Sequence, residues 1–437
     1  MLFRSDDGGL VAILEDCLQA ARALPAQGWR NRVRDGVPHG PSEEFLALVR
    51  KQVLARADGT SLYSIETETA APVDGLIEAA TALEMALARL EGPVRRLIAG
   101  FEKLLEAKAA TIETQMRSRI EGLMRTLERR AILPVAAWRS MLSALTAATP
   151  AEFVDWFALE RAEGHDLDVG LHRHWLDPTL PFARALADHA HGILVTSATL
   201  LDGDEDEAAD WAHAEARVGA QHLTPAVSRV SLPSPFNYVE NTRVIVVTDV
   251  RKDDLAQVAS AYRELFLAAK GGALGLFTAI ARLREVHERI AAPLDAAGLP
   301  LYAQHVDAMD ISTLVDIFRA EEDACLLGTD AVREGVDVPG MSLRLVVFDR
   351  VPWPRPDILH KARRAHFGKR TYDDAVTRLR LKQAFGRLIR RDTDRGVFVL
   401  LDPMMPSRLK RAFPPDVPFM RVGLKEAVEE IRGFLKL

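Results

Sequence analysis

Apolar residues between Val73 and Leu127 recur every three or four positions. Leu76, Ile77, Ala80, Leu83, Leu87 and Leu90 form one stripe. Leu97, Ile98, Phe101, Leu104, Leu105, Ile112, Met116, Ile120, Leu123, Met124 and Leu127 form a second. Such steps trace the buried face of a helix. The pattern predicts two long amphipathic helices, 73–90 and 94–127, folded into an antiparallel hairpin at Glu91-Gly92. Pro93 suits a first helical turn, and Pro134 follows the end. Residues 1 to about 180 read as mainly helical throughout. From about Ala185 the texture changes. Short β-rich runs at 193–196, 243–248, 274–278, 324–328, 343–348 and 397–401 alternate with helical patterns at 255–269, 281–297, 311–320 and 373–389. Strand and helix in alternation predict βαβ units around a buried parallel sheet, hence an α/β fold. The acidic stretch 202–210 reads as a surface loop and 225–235 as a linker.

Composition narrows the class. The chain has 437 residues, 48% of them hydrophobic and 27% charged, the balance of a folded protein rather than a disordered one. Two cysteines, Cys17 and Cys325, are too few for a disulfide framework, a four-thiolate zinc site or an iron–sulfur cluster held by this chain alone. No apolar run approaches the roughly 18 residues that span a bilayer. Acidic residues at Asp6 and Asp7 stand where a signal peptide needs an apolar core. The expected compartment is the reducing cytoplasm, with no membrane partner. The net charge of −6 argues against a polyanion, but its distribution argues for one. Between Arg350 and Arg395 stand fourteen Lys or Arg against five acids. A local basic field in an acidic chain is suited to a nucleotide or a nucleic acid.

Open parallel sheets bind ligands at the carboxyl ends of their strands, so the residues after each predicted strand carry the most information. A small hydroxyl-rich turn, Ser197-Ala198-Thr199, follows the first run. Gly328-Thr329-Asp330 and then Glu334-Gly335-Val336-Asp337 follow the run at 324–328, where glycines allow tight turning and carboxylates face outward. Gln383, Arg387, Arg390 and Arg391 are spaced to share one face of the predicted helix 373–389, with Gly386 leaving room for close approach. Arginines in such an array suit a bidentate grip on phosphoryl oxygens, although a solvated charged face is the ordinary fate of such a run. His172 and His174 lack the partners of a metal site, and no metal is assigned. Ser197 lacks the Gly-x-Ser-x-Gly elbow of a hydrolase nucleophile. Trp353 could stack on a base or pack within its loop. Cys325 reads as core.

Taken in order, these stations resemble superfamily 2 helicase motifs. Gly192-Ile193-Leu194-Val195-Thr196-Ser197-Ala198-Thr199-Leu200 resembles motif III, and Leu276-Phe277-Thr278 resembles motif IV. The run from Gly328 to Gly340 resembles motif V, and Arg380–Arg390 resembles motif VI. The whole is most similar to the C-terminal half of XPD/DinG-like ATP-dependent DNA helicases, a branch that Ser234-Pro235-Phe236 and Pro352-Trp353-Pro354-Arg355-Pro356 also fit. The resemblance implies two RecA-like lobes with ATP in the cleft and single-stranded or forked DNA across their tops. Residues 1–184 would then be an arch-like helical insertion with remnants of the first lobe. Residues 185–224 would end that lobe, and 225–437 would form the second. It further implies that Arg387 and Arg390 act as arginine fingers on the γ-phosphate, with Gln383 orienting the nucleotide. Gly328, Asp330, Glu334, Gly335, Asp337 and Gly386 would bind or couple the nucleotide. Ser197, Ala198 and Thr199 would relay closure, while Thr278, Arg333, Trp353 and Arg355 would hold DNA.

The departures matter equally. No Gly-x-x-x-x-Gly-Lys-Ser/Thr loop and no Asp-Glu-x-His box occur in the sequence, so the phosphate-binding lysine and the Mg²⁺-holding acid of the family are missing. Asp349 and Asp402 resemble the latter only in following strands. An iron–sulfur cluster could belong only to a region upstream. The expectation is a helicase without most of its first lobe, a truncated record in preference to a split subunit, and inactive by itself. The alternatives are a nucleic-acid-binding chain with no ATPase activity and a superfamily 2 translocase that does not unwind. The oligomeric state is not readable from the sequence.

Overall fold

The computed structural model describes residues 8–57, 63–162, 164–202, 206–224, 226–329, 332 and 337–436. The chain divides into two compact units, Met1–Pro178 with Pro356–His366, and Thr179–Arg355 with Phe367–Leu437.

The first unit begins with helices α1 (Gly8–Ala20), α2 (Trp29–Asp35) and α3 (Gly40–Ala55) and strand β1 (Ile65–Glu68). There follow α4 (Leu76–Ala107), α5 (Thr114–Leu127), a π-helical turn at Glu128–Ile132, and α6 (Leu133–Ala144). The hairpin β2 (Phe153–Ala162) and β3 (His165–Trp175) completes a three-stranded antiparallel sheet in the order β1-β2-β3. The periodic stripe is helical as expected, but its corner is not at Glu91-Gly92. Helix α4 runs unbroken through Gly92 and Pro93. An interior proline costs a helix about 3 kcal/mol through a lost hydrogen bond and a clash. Against this stand Leu76, Ala80, Leu83, Leu87, Leu90, Val94, Leu97 and Phe101, all buried in one uninterrupted register across the proline. Burying a single large side chain is worth about 1.5–3 kcal/mol, so the continuous stripe prevails. The turn comes at 108–113, inside the sequence gap between Leu105 and Ile112 that lacks any large apolar anchor.

The hairpin β2–β3 was not legible in the sequence because both faces of β2 are covered. Phe157 and Leu159 enter the helical core, while Trp156 on the opposite face stacks on His172 at a ring separation of 5.4 Å. A strand buried on both sides shows no polar alternation.

The second unit opens with α7 (Thr179–Ala187), α8 (Glu207–Val218) and α9 (Tyr238–Asn241). It continues as β4 (Thr242–Val247), α10 (Leu255–Ala269), β5 (Ala273–Leu276), α11 (Ile280–Ala296), β6 (Leu301–Ala303), α12 (Ile311–Ala320), β7 (Cys325–Gly328) and β8 (Leu345–Phe348). Helix α13 (Ile358–Phe367) lies largely within the first unit's segment, and its Arg363 donates to the Trp175 and Leu176 carbonyls at the end of β3. The chain ends with α14 (Arg370–Phe385), β9 (Gly396–Leu400), β10 (Phe419–Val422) and α15 (Leu424–Leu435). Seven strands make one wholly parallel sheet in the order β10-β4-β9-β8-β5-β7-β6. This is the α/β class read from the sequence. Successive residues of β4 serve opposite cores. Ile245 and Val247 join α10, α11 and α15 on one face, and Val244 and Val246 join α12 and α14 on the other.

Two local features differ from the sequence reading. Residues 193–196 form no strand, with Leu194 at 89% exposure, because none of the described strands pairs with them in a ladder. Asp202 and Asp210, expected on a surface loop, are buried, and Asp202 pairs with Arg217 at 2.6 Å. Lys270, Gly271 and Gly272 carry the chain from α10 into β5. All three residues have positive φ, and a side chain on Gly271 would strike the Asp323 carbonyl.

Candidate functional site

The sequence-derived candidates divide between the two ends of the parallel sheet. Strands of four residues separate those ends by about 13 Å.

At the amino end stands the segment after α14. Helix α14 stops at Phe385, four residues earlier than its pattern suggests, so Arg387, Arg390 and Arg391 lie on a turn and not on a helical face with Gln383. Two causes act together. Consecutive Leu388 and Ile389 are both buried, which pulls the backbone inward. The buried Asp394 carboxylate accepts the backbone N–H groups of Arg390 and Arg391, each at 2.9 Å, diverting those donors from a helical ladder. Leu388 in turn packs on Gly396, the first residue of β9, where any Cβ would come within 2.7 Å of it. Arg390 then reaches the Asp337 carboxylate at 3.0 Å, and Arg319 donates to the Asp337 carbonyl at 3.1 Å. The end of the segment resembling motif V therefore meets the segment resembling motif VI. Gln383, Gly386 and Arg387 are half-buried beside them. Gly386 has ordinary helical φ and ψ, so it is not required there by backbone geometry.

At the carboxyl end stand Thr278, Gly328, Trp353 and Arg355. Gly328 ends β7, and a Cβ there would lie 2.5 Å from that of Val332. Thr329, next in the chain, donates both its N–H and its hydroxyl to Oε1 of buried Gln304, each at 2.9 Å. Thr278 and Arg355 are exposed. Trp353 is 38% exposed, with the Arg408 guanidinium 6.0 Å from its ring centre and Arg380 donating to its carbonyl at 3.3 Å. Asp330, Arg333, Glu334 and Gly335 lie outside the described residues.

Charge pairing at this end was not anticipated. Asp349, wholly buried after β8, accepts the Thr278 N–H at 3.3 Å and pairs with Arg282 at 2.6 Å. Burial pushes its carboxyl above the ordinary carboxylate range, against the pull of Arg282. Asp402, buried after β9, accepts Val351 N–H at 3.2 Å and Met404 N–H at 3.1 Å, and faces Lys252 Nζ at 3.1 Å. Lys252, Arg282 and Gln304 carried no sequence signal, because each acts through a partner more than 20 residues away.

Ser197 and Thr199 join each other rather than a distant group. Their hydroxyls are 3.1 Å apart, and the Thr199 N–H donates to Ser197 Oγ at 3.1 Å. Ala198 between them is exposed. Just beyond, Lys382 on α14 donates to the Leu201 carbonyl at 2.5 Å, and Arg378 lies 3.6 Å from Asp202. Burial pushes the Lys382 ammonium below its ordinary range. The tail of the motif III-like segment is thus docked on the helix that leads into the motif VI-like turn.

The described residues do not fit a Mg²⁺ site. Asp349 and Asp402 are already saturated by N–H groups and cations, and no cluster of three or more His, Cys, Asp or Glu among the described residues could hold a metal. Both cysteines are buried, and burial pushes the Cys325 thiol up to about 12. No helix among the described residues is long and apolar enough to cross a membrane.

The model of the helicase C-terminal domain family matches residues 262–418, which hold both ends of the site. Residues 262–418, within the C-terminal half of this chain, form a helicase C-terminal domain. Its curated relatives include an ATP-dependent helicase DinG of Mycobacterium tuberculosis, 34% identical over 258 residues, covering 54% of this chain and 36% of the relative. The ATP-dependent DNA helicase YoaA of Escherichia coli is 31% identical, covering 52% of this chain and 35% of its own length. A 3'-5' exonuclease DinG of Bacillus subtilis is 26% identical, covering 70% of this chain and 34% of its own. The chain therefore spans about a third of the length of these relatives. Within the helicase C-terminal domain, the Asp337–Arg390 pair marks one end of the sheet and the Asp349–Arg282 pair the other.

Proposed function

We propose that this chain supplies the second motor lobe and arch-like helical unit of an ATP-dependent DNA helicase acting on single-stranded or forked DNA. One observation carries the reading: Arg390 is held against Asp337 at the amino end of the sheet, while Thr278, Trp353 and Arg355 gather at the carboxyl end. One lobe thereby offers a cationic face for phosphoryl groups and a separate face for a nucleic-acid strand. Arg387 and Arg390 would stabilise charge developing on the transferred γ-phosphoryl, a role worth about 10³-fold or more in rate. Gln383 would orient the nucleotide, with Gly328, Asp330, Glu334, Gly335, Asp337 and Gly386 coupling it to the strand. Ser197, Ala198 and Thr199 would transmit closure through the segment docked on Lys382. Thr278, Arg333, Trp353 and Arg355 would hold the DNA. Because the sequence has no phosphate-binding lysine loop, turnover would need a complementary lobe that supplies it and the Mg²⁺ ligands. The same observation favours a second reading for this polypeptide in isolation, a nucleic-acid-binding chain without turnover.

The test is ATPase activity stimulated by single-stranded DNA, with Arg387→Ala as control, beside DNA affinity measured at several salt concentrations. Binding with a steep salt dependence and no turnover supports a motor half that requires its complement. Turnover abolished by Arg387→Ala would show that the nucleotide is held by groups other than those named. ATP hydrolysis without strand displacement would single out a translocase. Absence of DNA binding would overturn the reading.

A further inference from the structure

Strands β8 and β9 are neighbours in register, with Phe348 opposite Leu400; buried Asp349 follows β8 directly, and buried Asp402 follows β9 after Leu401. The two carboxylates connect loops that are distant in sequence. Asp349 holds the Thr278 N–H and Arg282, and Arg282 donates onward to the Lys252 carbonyl at 2.8 Å. Asp402 holds the Val351 N–H and the Lys252 ammonium. The loops after β4, β5 and β8 are thus tied to one another through two buried anions, and two of these loops carry Thr278, Trp353 and Arg355.

We infer that Asp349 and Asp402 are positioning residues that brace these three loops as one rigid platform for the phosphodiester backbone of a nucleic-acid strand. The inference rests on the proposed helicase reading for its ligand, but the brace itself is independent of it. The physical logic is that of a preorganised site. Loops tied by hydrogen bonds to buried charges lose little freedom on binding, so their contacts are expressed as affinity. Free loop ends would surrender that freedom each time a strand docks. Full burial of both carboxylates ensures that water does not compete for these bonds, and a buried anion left without its cation is strongly unfavourable, which makes the arrangement all-or-none. Neither Asp349 nor Asp402 would touch DNA.

The experiment compares the full chain with two variants. Asp402→Asn keeps size but removes the charge facing Lys252. Asp349→Asn alone would strand Arg282 in a buried site, so it is combined with Arg282→Gln. Hydrogen exchange of peptides covering 248–254, 277–283 and 349–356 is measured beside the affinity for a fluorescent oligothymidylate. The expected result is exchange faster by about tenfold in these three loops in each variant, with the sheet peptides unchanged. DNA affinity should fall by about tenfold, the scale of one lost charge-assisted hydrogen bond. Unchanged exchange in the loops would overturn the brace. Faster exchange with unchanged DNA affinity would overturn the positioning role. Failure of the unaltered chain to bind the oligonucleotide would instead sink the helicase reading, and the role assigned to the brace with it.

Discussion

Asp394 is the residue whose loss should be felt most widely at the amino end of the sheet. It is 6% exposed, and a single carboxylate oxygen accepts the N–H groups of both Arg390 and Arg391 at 2.9 Å. Replacing it with alanine removes two charge-assisted bonds, each of which contributes about 1.5–3 kcal/mol when fully buried. Arg391 is exposed, so its N–H regains water, and the total should settle near about 2–3 kcal/mol. Asp394→Asn can place an amide oxygen where the carboxylate oxygen was and should cost only about 1 kcal/mol. Urea unfolding followed by circular dichroism reads the difference. With a slope of about 2–3 kcal/mol per molar, the alanine variant should shift its midpoint down by roughly 1 M at unchanged slope. The same variant should free the turn that presents Arg390 to Asp337. In an ATPase assay with the complementary lobe present, turnover should then fall with little change in KM for DNA. An alanine variant within 0.5 kcal/mol of the parent would refute this account, since that is the range of surface changes without a structural role. So would an asparagine variant as damaging as alanine.

Three further expectations follow from other parts of the molecule. The Arg32 guanidinium beside buried Glu43 holds its carboxyl at about 2, against an ordinary 4.5. The helical unit should therefore keep this stabilisation above pH 4.5 and lose it as the pH falls toward 2, and Glu43→Gln should abolish that dependence in an acid-unfolding series. Gly328→Ala should place a methyl against Val332 and destabilise the second unit by about 1–3 kcal/mol in thermal unfolding, with Val332→Ala restoring part of the loss. Trp353→Ala should weaken binding of single-stranded DNA by about 1–3 kcal/mol in fluorescence anisotropy, with the slope of affinity against salt unchanged, because stacking releases no counterions.

Much of the second unit was legible because its strands and helices announce themselves locally. Helices 255–269 and 311–320 match their apolar spacing to the residue, since each has a capping aspartate before it, Asp254 and Asp310, and a buried stripe within it. Short β6 and β10 escaped notice, for three or four residues at a sheet margin have too little pattern to register. Pro93 misled for the opposite reason. It is a strong local signal that the packing of α4 overrides.

For the site, the sequence by itself determined the chemical inventory and its order. Glycines, carboxylates and arginines stand after predictable strands and helices, and a basic stretch lies within an acidic chain. Only the tertiary structure decided how that inventory is arranged. It showed that Arg390 faces Asp337 across 53 residues of chain, and that the arginines sit on a turn bent by Asp394 rather than along a helix. It separated these residues from Thr278 and Trp353 by the length of the strands. It also revealed Lys252 and Arg282 as the partners of Asp402 and Asp349, though nothing nearby in the sequence marks either cation. The reason is physical. Local spacing fixes which face of a helix or strand a residue occupies, whereas the partner of a buried charge is fixed by which strands lie side by side, and that is a property of the folded sheet.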